Sequence, residues 1–169
     1  NLVLPNDLNI ISSYSFFGCN NFNGSLTIPS KVKKICQYAF YKCSGFNDSL
    51  NLSENLEHIC DGSFSGCSQL KGLLEIPNST LFINQSAFSE CCGLSGSLIL
   101  PSNLKVISQD SFYKCSGFNE TLIIPNSVTD IQSNAFEGCF GFINSLIIPD
   151  SVVSIGNFAF EGCFGFNGT

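Results

Sequence analysis

The residues of this 169-residue sequence that could do chemistry are ten cysteines and a single histidine, His58. Such side chains bind metal ions, form disulfides or serve as nucleophile and base in catalysis. His58 lies two residues from Cys60, but no fourth ligand accompanies these two and Cys36, so they do not complete a metal site. No Cys-His or Ser-His-Asp set can be assembled, and an enzyme needs such convergent groups. We therefore expect no catalytic residue, no metal and no cofactor.

Most of the cysteines follow a strict spacing. Seven of the ten recur every 24 residues, at Cys19, Cys43, Cys67, Cys91, Cys115, Cys139 and Cys163. Ten cysteines in a short chain usually indicate a disulfide framework, but one cysteine per repeat indicates a column inside a repetitive structure. Small apolar thiols are common in packed interiors. We predict that these seven thiols are reduced and buried, so that denatured protein shows at least seven titratable thiols without a reducing agent.

Three cysteines stand outside this column. Cys36 and Cys60 occupy equivalent positions in neighbouring repeats, and a disulfide between them is geometrically allowed because stacked Cα atoms fall within the usual span. Two unpaired thiols are the favoured alternative. Cys92 directly follows Cys91, one of the seven regularly spaced cysteines that form a ladder along the coils. Cys92 should face a turn as an exposed thiol that can crosslink two molecules.

The whole sequence repeats with this period, without insertion or deletion. Seven copies fit, at residues 1–24, 25–48, 49–72, 73–96, 97–120, 121–144 and 145–169. Each copy has one invariant Leu, then Ile nine residues on, Phe five further and Cys three further, as in Leu122, Ile131, Phe136 and Cys139. Units of this length cannot bury an apolar face alone and stack into a solenoid with a continuous core.

Each copy can be interpreted as a short series of local structures. It opens with a strand such as Leu122-Ile123-Ile124, in which the first and third side chains point inward, and proline ends that strand in six of seven copies. Val128 to Ile131 forms a second inward segment, and Phe136 to Cys139 suits one helical or 3₁₀ turn. One parallel strand per coil is predicted at residues 2–4, 26–28, 50–52, 74–76, 98–100, 122–124 and 146–148.

The repeat unit L-x-I-P-x-S-V-x-x-I-x-x-x-A-F-x-x-C-x-G-F, clearest at 122–142 and 146–166, resembles the BspA-like, or treponemal-type, leucine-rich repeat. The resemblance covers all seven copies and implies a leucine-rich-repeat solenoid of α/β type with horseshoe curvature. It also implies a surface or secreted protein that adheres to host matrix proteins such as fibronectin, to host cells or to other microbes, without catalytic residues. Ser53 replaces the proline and Thr80 the valine, which are local departures.

Composition agrees with one elongated domain over residues 1–169. Seven coils give a length of about 34 Å. The net charge of −6, with no arginine, argues against a nucleic-acid partner. The sequence contains no Met and begins and ends in repeat phase, so we expect a fragment of a longer array. Uncapped ends predict end-to-end self-association through the coil with Leu2 and Ile11 and the coil with Ile155 and Phe160.

Glycosylation sequons are frequent. Asn-x-Ser/Thr occurs at Asn23, Asn47, Asn51, Asn78, Asn84, Asn119 and Asn167. Asn and Ser are also common turn residues, and a repeat multiplies a single chance match. The seven candidate sites nevertheless fit a secreted glycoprotein, and with the family resemblance they predict a cell-surface or secreted location.

The outward residues of the predicted strands change character along the array. They run from Val3 through Thr27, Asn51 and Glu75 to Ile99, Ile123 and Ile147. A passive spacer should be uniformly polar, whereas a binding module should be locally apolar. We predict a concave strip of Ile99, Ile123 and Ile147, with Phe140 and Phe164 on a neighbouring edge, that contacts a protein partner. Packing against a next molecule, a spacer role and, most distantly, an enzyme remain the alternatives.

Overall fold

The computed structural model describes residues 1–167, which wind as a parallel solenoid with 24 residues per coil. Eleven strands follow one another along the chain. They are β1 (Ile10–Ile11), β2 (Leu26–Thr27), β3 (Lys34–Ile35), β4 (Leu50–Asn51), β5 (His58–Ile59), β6 (Gly72–Glu75), β7 (Phe82–Ile83), β8 (Leu94–Ile99), β9 (Val106–Ile107), β10 (Asp130–Ile131) and β11 (Ser154–Ile155). Every pairing is parallel, which confirms the predicted parallel solenoid.

The strands form two series rather than the single one predicted. The more regular series contains the invariant isoleucine of each coil, which we call the isoleucine column. In this series β1, β3, β5 and β7 form one sheet and β9, β10 and β11 form another. The predicted series is present as the pairs β2–β4 and β6–β8, and a lone bridge joins Ile123 to Ile147. Residues 2–4 form no strand. Proline ends six of the seven segments of the predicted series and cannot donate to a ladder, so the proline-free isoleucine segments pair more regularly.

The segment from the isoleucine column to the cysteine column is not helical, and no helix occurs within residues 1–167. Alternate amides take different partners. Ala135, Glu137 and Cys139 donate to carbonyls three residues earlier, while Asn134, Phe136 and Gly138 donate to the next coil. The inter-coil acceptors are Asn157, Ala159 and Glu161, at 2.9, 2.8 and 2.7 Å. Because half of the amides bond between coils, three consecutive tight turns replace the predicted helical or 3₁₀ turn.

Stacked phenylalanine rings form the centre of the core. Ring centroids of neighbouring coils lie 5.5 Å apart at Phe40–Phe64, 5.2 Å at Phe64–Phe88 and 5.7 Å at Phe88–Phe112, with planes within 6° of parallel. These four rings are fully buried. The end residue Phe16 is half-buried, since one of its sides has no covering coil. Each ring is therefore buried by its neighbours, as a stacked repeat requires.

Glycine in the closing turn lets successive coils approach. A Cβ on Gly117 would collide with the carbonyl oxygen of Leu94 and lie 2.5 Å from that of Cys92. The same column places Gly45 and Gly165 equally close to the coil before them. A side chain here would push two coils apart, so glycine at these positions maintains the spacing of the stack.

The end coils expose part of the core, as the predicted self-association requires. Leu2 and Phe160 are half-buried and Ile155 is exposed, whereas Ile11 is buried. Association through these coils remains a prediction. Within the described residues, no helix has the length and apolarity needed to cross a membrane.

Candidate functional site

The histidine and cysteines do not assemble a reactive centre in the described part of the chain. Residues 1–167 contain no group of three His, Cys, Asp or Glu side chains able to hold a metal ion. The His58 ring instead stacks on Phe82 of the next coil, with centroids 5.1 Å apart and planes 7° from parallel. All ten cysteines lie within the described residues and carry free thiols, including Cys36 and Cys60, which are half-buried.

The ladder cysteines have a hydrogen-bonding role that sequence reasoning missed. The Cys115 thiol donates to the Phe88 carbonyl of the preceding coil at 3.0 Å, and the Cys91 amide donates to the same oxygen at 3.2 Å. Equivalent thiol bonds of 2.9 to 3.1 Å occur at Cys43, Cys67, Cys91, Cys139 and Cys163. Each thiol therefore fills core volume and links two coils. Only knowledge of the backbone path could have identified this acceptor.

Burial makes these thiols poor acids. It raises the pKa of Cys43 and of Cys163 to about 11. It raises the pKa further at Cys67, Cys91, Cys115 and Cys139, where charge repulsion from neighbouring ladder thiols adds to desolvation at Cys91 and Cys139. Reactivity requires the thiolate, so these six thiols are protonated and inert near neutral pH. The predicted burial is wrong at the two ends, since Cys19 and Cys163 are only half-buried.

Native alkylation should therefore select one thiol. Cys92 is exposed, with its sulfur 3.7 Å from the Ser68 carbonyl oxygen, whereas the central ladder thiols are buried. We expect iodoacetamide at pH 8 to label Cys92 fastest in folded protein and the five buried ladder thiols to become reactive only after denaturation. Denatured protein should show at least seven titratable thiols without reductant. Peptide mapping by mass spectrometry reads both states. Four or five disulfides in the unreduced protein would contradict the reduced ladder.

We define the isoleucine strip as Ile99, Ile123 and Ile147, which are exposed to solvent on one face of the solenoid. The three side chains are 43%, 71% and 73% exposed. A groove of about 340 Å³ separates Ile99 from Ile123, and another of about 210 Å³ separates Ile123 from Ile147. Pro125 and Pro149 line these grooves. The strip therefore presents apolar ridges with shallow grooves between them.

The preceding coils make the same face polar. The Asn51 amide donates to the Thr27 hydroxyl at 3.1 Å, and Glu75 and Lys71 line a groove of about 610 Å³ with Glu54. The outward strand positions Thr27, Asn51 and Glu75 are thus polar, while Leu73 is an exposed apolar side chain in the same groove. The change from polar to apolar along the face follows the outward residues.

Phe140 and Phe164 are 57% and 86% exposed but do not line the grooves of the isoleucine strip. Phe140 closes a separate axial groove of about 650 Å³ that runs along the coils on either side of the ladder cysteines. The residues lining this axial groove are Asn20, Lys42, Ser44, Gly66, Ser68, Glu90, Cys92, Lys114, Ser116, Gly138 and Phe140. The structure thus separates two surfaces that the sequence analysis treated as neighbouring edges.

Sequon asparagines also have a structural role. The Asn47 and Asn119 side-chain oxygens accept the amides of Gly24 and Gly96 in the preceding coil, at 2.9 and 2.8 Å. Their side-chain nitrogens remain available for a glycan. Asn84 is half-buried, and the other candidates are exposed, namely Asn23, Asn47, Asn51, Asn78, Asn119 and Asn167. The last two residues of the Asn167 sequon, 168 and 169, lie outside the described residues.

Fold and surface together define a leucine-rich-repeat protein. The sequence matches the family described as "BspA type Leucine rich repeat region" in six copies, over residues 1–119 and 82–167. The chain therefore belongs to the BspA-type leucine-rich repeat family, which confirms the resemblance seen in the repeat unit. No curated protein matches the sequence significantly.

Solved structures with the same fold come from bacteria. The T. pallidum leucine-rich repeat protein TpLRR is 26% identical with a TM-score of 0.69, over 94% of this chain and 82% of that one. A leucine-rich cell surface protein from Faecalibacterium prausnitzii A2-165 is 28% identical with a TM-score of 0.80, over 95% of this chain and 42% of that one. A leucine-rich repeat protein from Eubacterium ventriosum shares the fold at 22% identity and a TM-score of 0.77, and the chain spans 41% of its length.

Proposed function

We propose that this chain is a non-enzymatic protein-binding module of a cell-surface or secreted protein, and that it adheres to host matrix proteins, host cells or other microbes. The observation that carries the proposal is the exposed isoleucine strip at Ile99, Ile123 and Ile147. Family membership supports protein binding as the general role. The F. prausnitzii relative is described as a cell surface protein, which supports the location.

The free energy of burying the isoleucine strip favours a binding partner over permanent exposure of the strip to solvent. Full burial of one isoleucine side chain is worth roughly 1.5–3 kcal/mol, and three in a row provide a compact apolar contact surface next to the coils with Asn51 and Glu75. A spacer would gain nothing from such a strip, which distinguishes the alternatives. Glycans on Asn51 would cover the polar half of the face. No sequon lies between Asn119 and Asn167, so the strip would stay uncovered.

The test is the triple variant Ile99→Ser, Ile123→Ser, Ile147→Ser, with folding checked by circular dichroism. We expect its binding to immobilised matrix proteins or host cells to fall at least about tenfold, because the apolar contact is lost. The matched control Leu81→Ser, Val153→Ser, Phe158→Ser removes three exposed apolar side chains outside the strip and should bind like the parent. Parental binding by the strip variant would place the contact surface elsewhere.

A further inference from the structure

Two identical octapeptides line the axial groove. The sequence FYKCSGFN occurs at residues 40–47 and again at 112–119, three coils later. Each copy contributes one lysine and one serine to the groove wall, namely Lys42 with Ser44 and Lys114 with Ser116. The other coils carry glycine or glutamate at the lysine position, whereas the serine position is also serine at Ser68, so the two lysines define the matched subsites.

Both lysines have the same local arrangement. The Lys42 ammonium lies 5.2 Å from the centre of the Tyr41 ring, and the Lys114 ammonium lies 4.8 Å from that of Tyr113. The stem of Lys42 crosses Gly66 in the next coil, where an added Cβ would lie 3.0 Å from the Lys42 Cγ. Gly138 receives the Lys114 stem in the same way, at 3.1 Å. Glycine thus leaves room for each lysine stem and the tyrosine ring lies close to each ammonium, while neither lysine forms an ion pair within residues 1–167.

The spacing of the two charges matches an extended peptide. Three coils correspond to about 14 Å along the solenoid. An extended chain advances roughly 3.4 Å per residue, and residues four apart project on the same side, so two such side chains are also about 14 Å apart. A segment with carboxylates four residues apart can therefore place one opposite each lysine.

Other groove residues favour a peptide over a uniformly anionic polymer. Glu90 lies between the lysines, one coil before Lys114, and would repel a third negative charge. Ser68 and Ser116 line the opposite wall, and their hydroxyls make no side-chain hydrogen bond within residues 1–167. They are available to the amides of a bound backbone. The remaining lining is largely apolar and suits the intervening side chains.

We propose that the axial groove binds an extended segment of a protein partner that carries two acidic residues four positions apart, with Lys42 and Lys114 each pairing with one carboxylate. The groove shares no lining residue with the isoleucine strip. This interaction is therefore independent of the proposed adhesive surface, and one can fail without the other.

The experiment measures fluorescence anisotropy of a labelled valine and threonine peptide with two aspartates four residues apart. Peptides with the aspartates three apart, which project on opposite sides, or replaced by asparagine are the ligand controls. We expect each of Lys42→Gln and Lys114→Gln to weaken binding about threefold, and the double variant about tenfold, with further weakening by salt. The control Lys71→Gln, Lys105→Gln changes two exposed lysines outside the groove and should bind like the parent.

Cys92 supplies a second measurement, because its thiol lines the groove and is exposed. Bound peptide should slow alkylation of Cys92 in the parent, and the double lysine variant should need about tenfold more peptide for the same protection. The proposal is overturned if the double lysine variant keeps full affinity, if either control peptide binds equally well, or if saturating peptide leaves the alkylation rate of Cys92 unchanged. The triple isoleucine variant should bind the peptide normally, which separates this test from that of the adhesive surface.

Discussion

Raising the pH from 8 to 11 is expected to unfold this protein, because the fold encloses a column of thiols that cannot ionise in place. The pKa values of Cys67, Cys91, Cys115 and Cys139 are raised well above that of a free thiol by burial. The unfolded chain therefore loses these four protons at lower pH than the folded chain. The stabilising effect is complete below the thiol pKa of the unfolded state, near pH 9, and declines as the pH rises toward the folded-state values.

The expected effect is large. Four thiols that ionise only in the unfolded state reduce the free energy of unfolding by about 5 kcal/mol per pH unit above roughly pH 9. A domain of this size has about 5–15 kcal/mol in total, so unfolding should occur by about pH 11. Urea titrations at several pH values under argon with reductant, followed by circular dichroism, measure the slope.

Two variants test whether the ladder causes this effect. The double variant Cys67→Ala, Cys115→Ala should lower the slope by about 3 kcal/mol per pH unit, because two thiols that ionise only in the unfolded state are gone. Cys92→Ala removes an exposed thiol and should keep the parental slope. Alkaline stability that stays flat between pH 8 and 11, or that declines equally in the double variant, would contradict thiol burial as the cause.

Phe88→Ala is expected to destabilise the solenoid by about 3–5 kcal/mol, the usual loss for a buried phenylalanine. Its fully buried ring stacks on Phe64 at 5.2 Å and on Phe112 at 5.7 Å. In a stacked array each coil contacts only its neighbours, so the cavity weakens the central coil's contacts with both flanking coils. Urea unfolding monitored by circular dichroism should show the midpoint falling and the transition broadening as the two halves uncouple.

The matched control for this prediction is Phe140→Ala, which truncates the same side chain at a surface position that is 57% exposed. Its effect should stay within about 0.5 kcal/mol, as for most surface substitutions. Equal losses at Phe88 and Phe140, or a loss below about 1 kcal/mol at Phe88, would mean that the ring stack does not hold the coils together.

The repeat divides inward and outward positions between stability and the recognition that we propose. Inward columns hold leucine, isoleucine, phenylalanine and cysteine in every coil, whereas the outward columns differ from coil to coil. Because the inward residues are the same in every coil, each coil packs against the next in the same way. Variation outside places the isoleucine strip in the last three coils and the two lysine subsites in the second and fifth. Surface substitutions can therefore change a partner while leaving the stack intact.

The sequence by itself determined the period, the inward columns and the parallel pairing. Equivalent residues 24 apart, such as Ile11 and Ile35, pair directly between neighbouring coils. This pairing was predictable because identical units have identical surroundings when they stack along one axis. The exposure of the isoleucine strip also followed from the alternation of inward and outward side chains along the strand. Neither required knowledge of the backbone path between the columns.

Only the tertiary structure decided which segments pair and how the turns run. The isoleucine segments carry the regular ladder, the Phe136 amide bonds to the next coil instead of forming a helix, and the Cys115 thiol donates to Phe88. The axial groove between Lys42 and Lys114 likewise arises from turns stacked in space. The physical reason is that the type of a residue determines whether its side chain prefers the interior. Its hydrogen-bond partners depend instead on which backbone amides and carbonyls point toward the neighbouring coil.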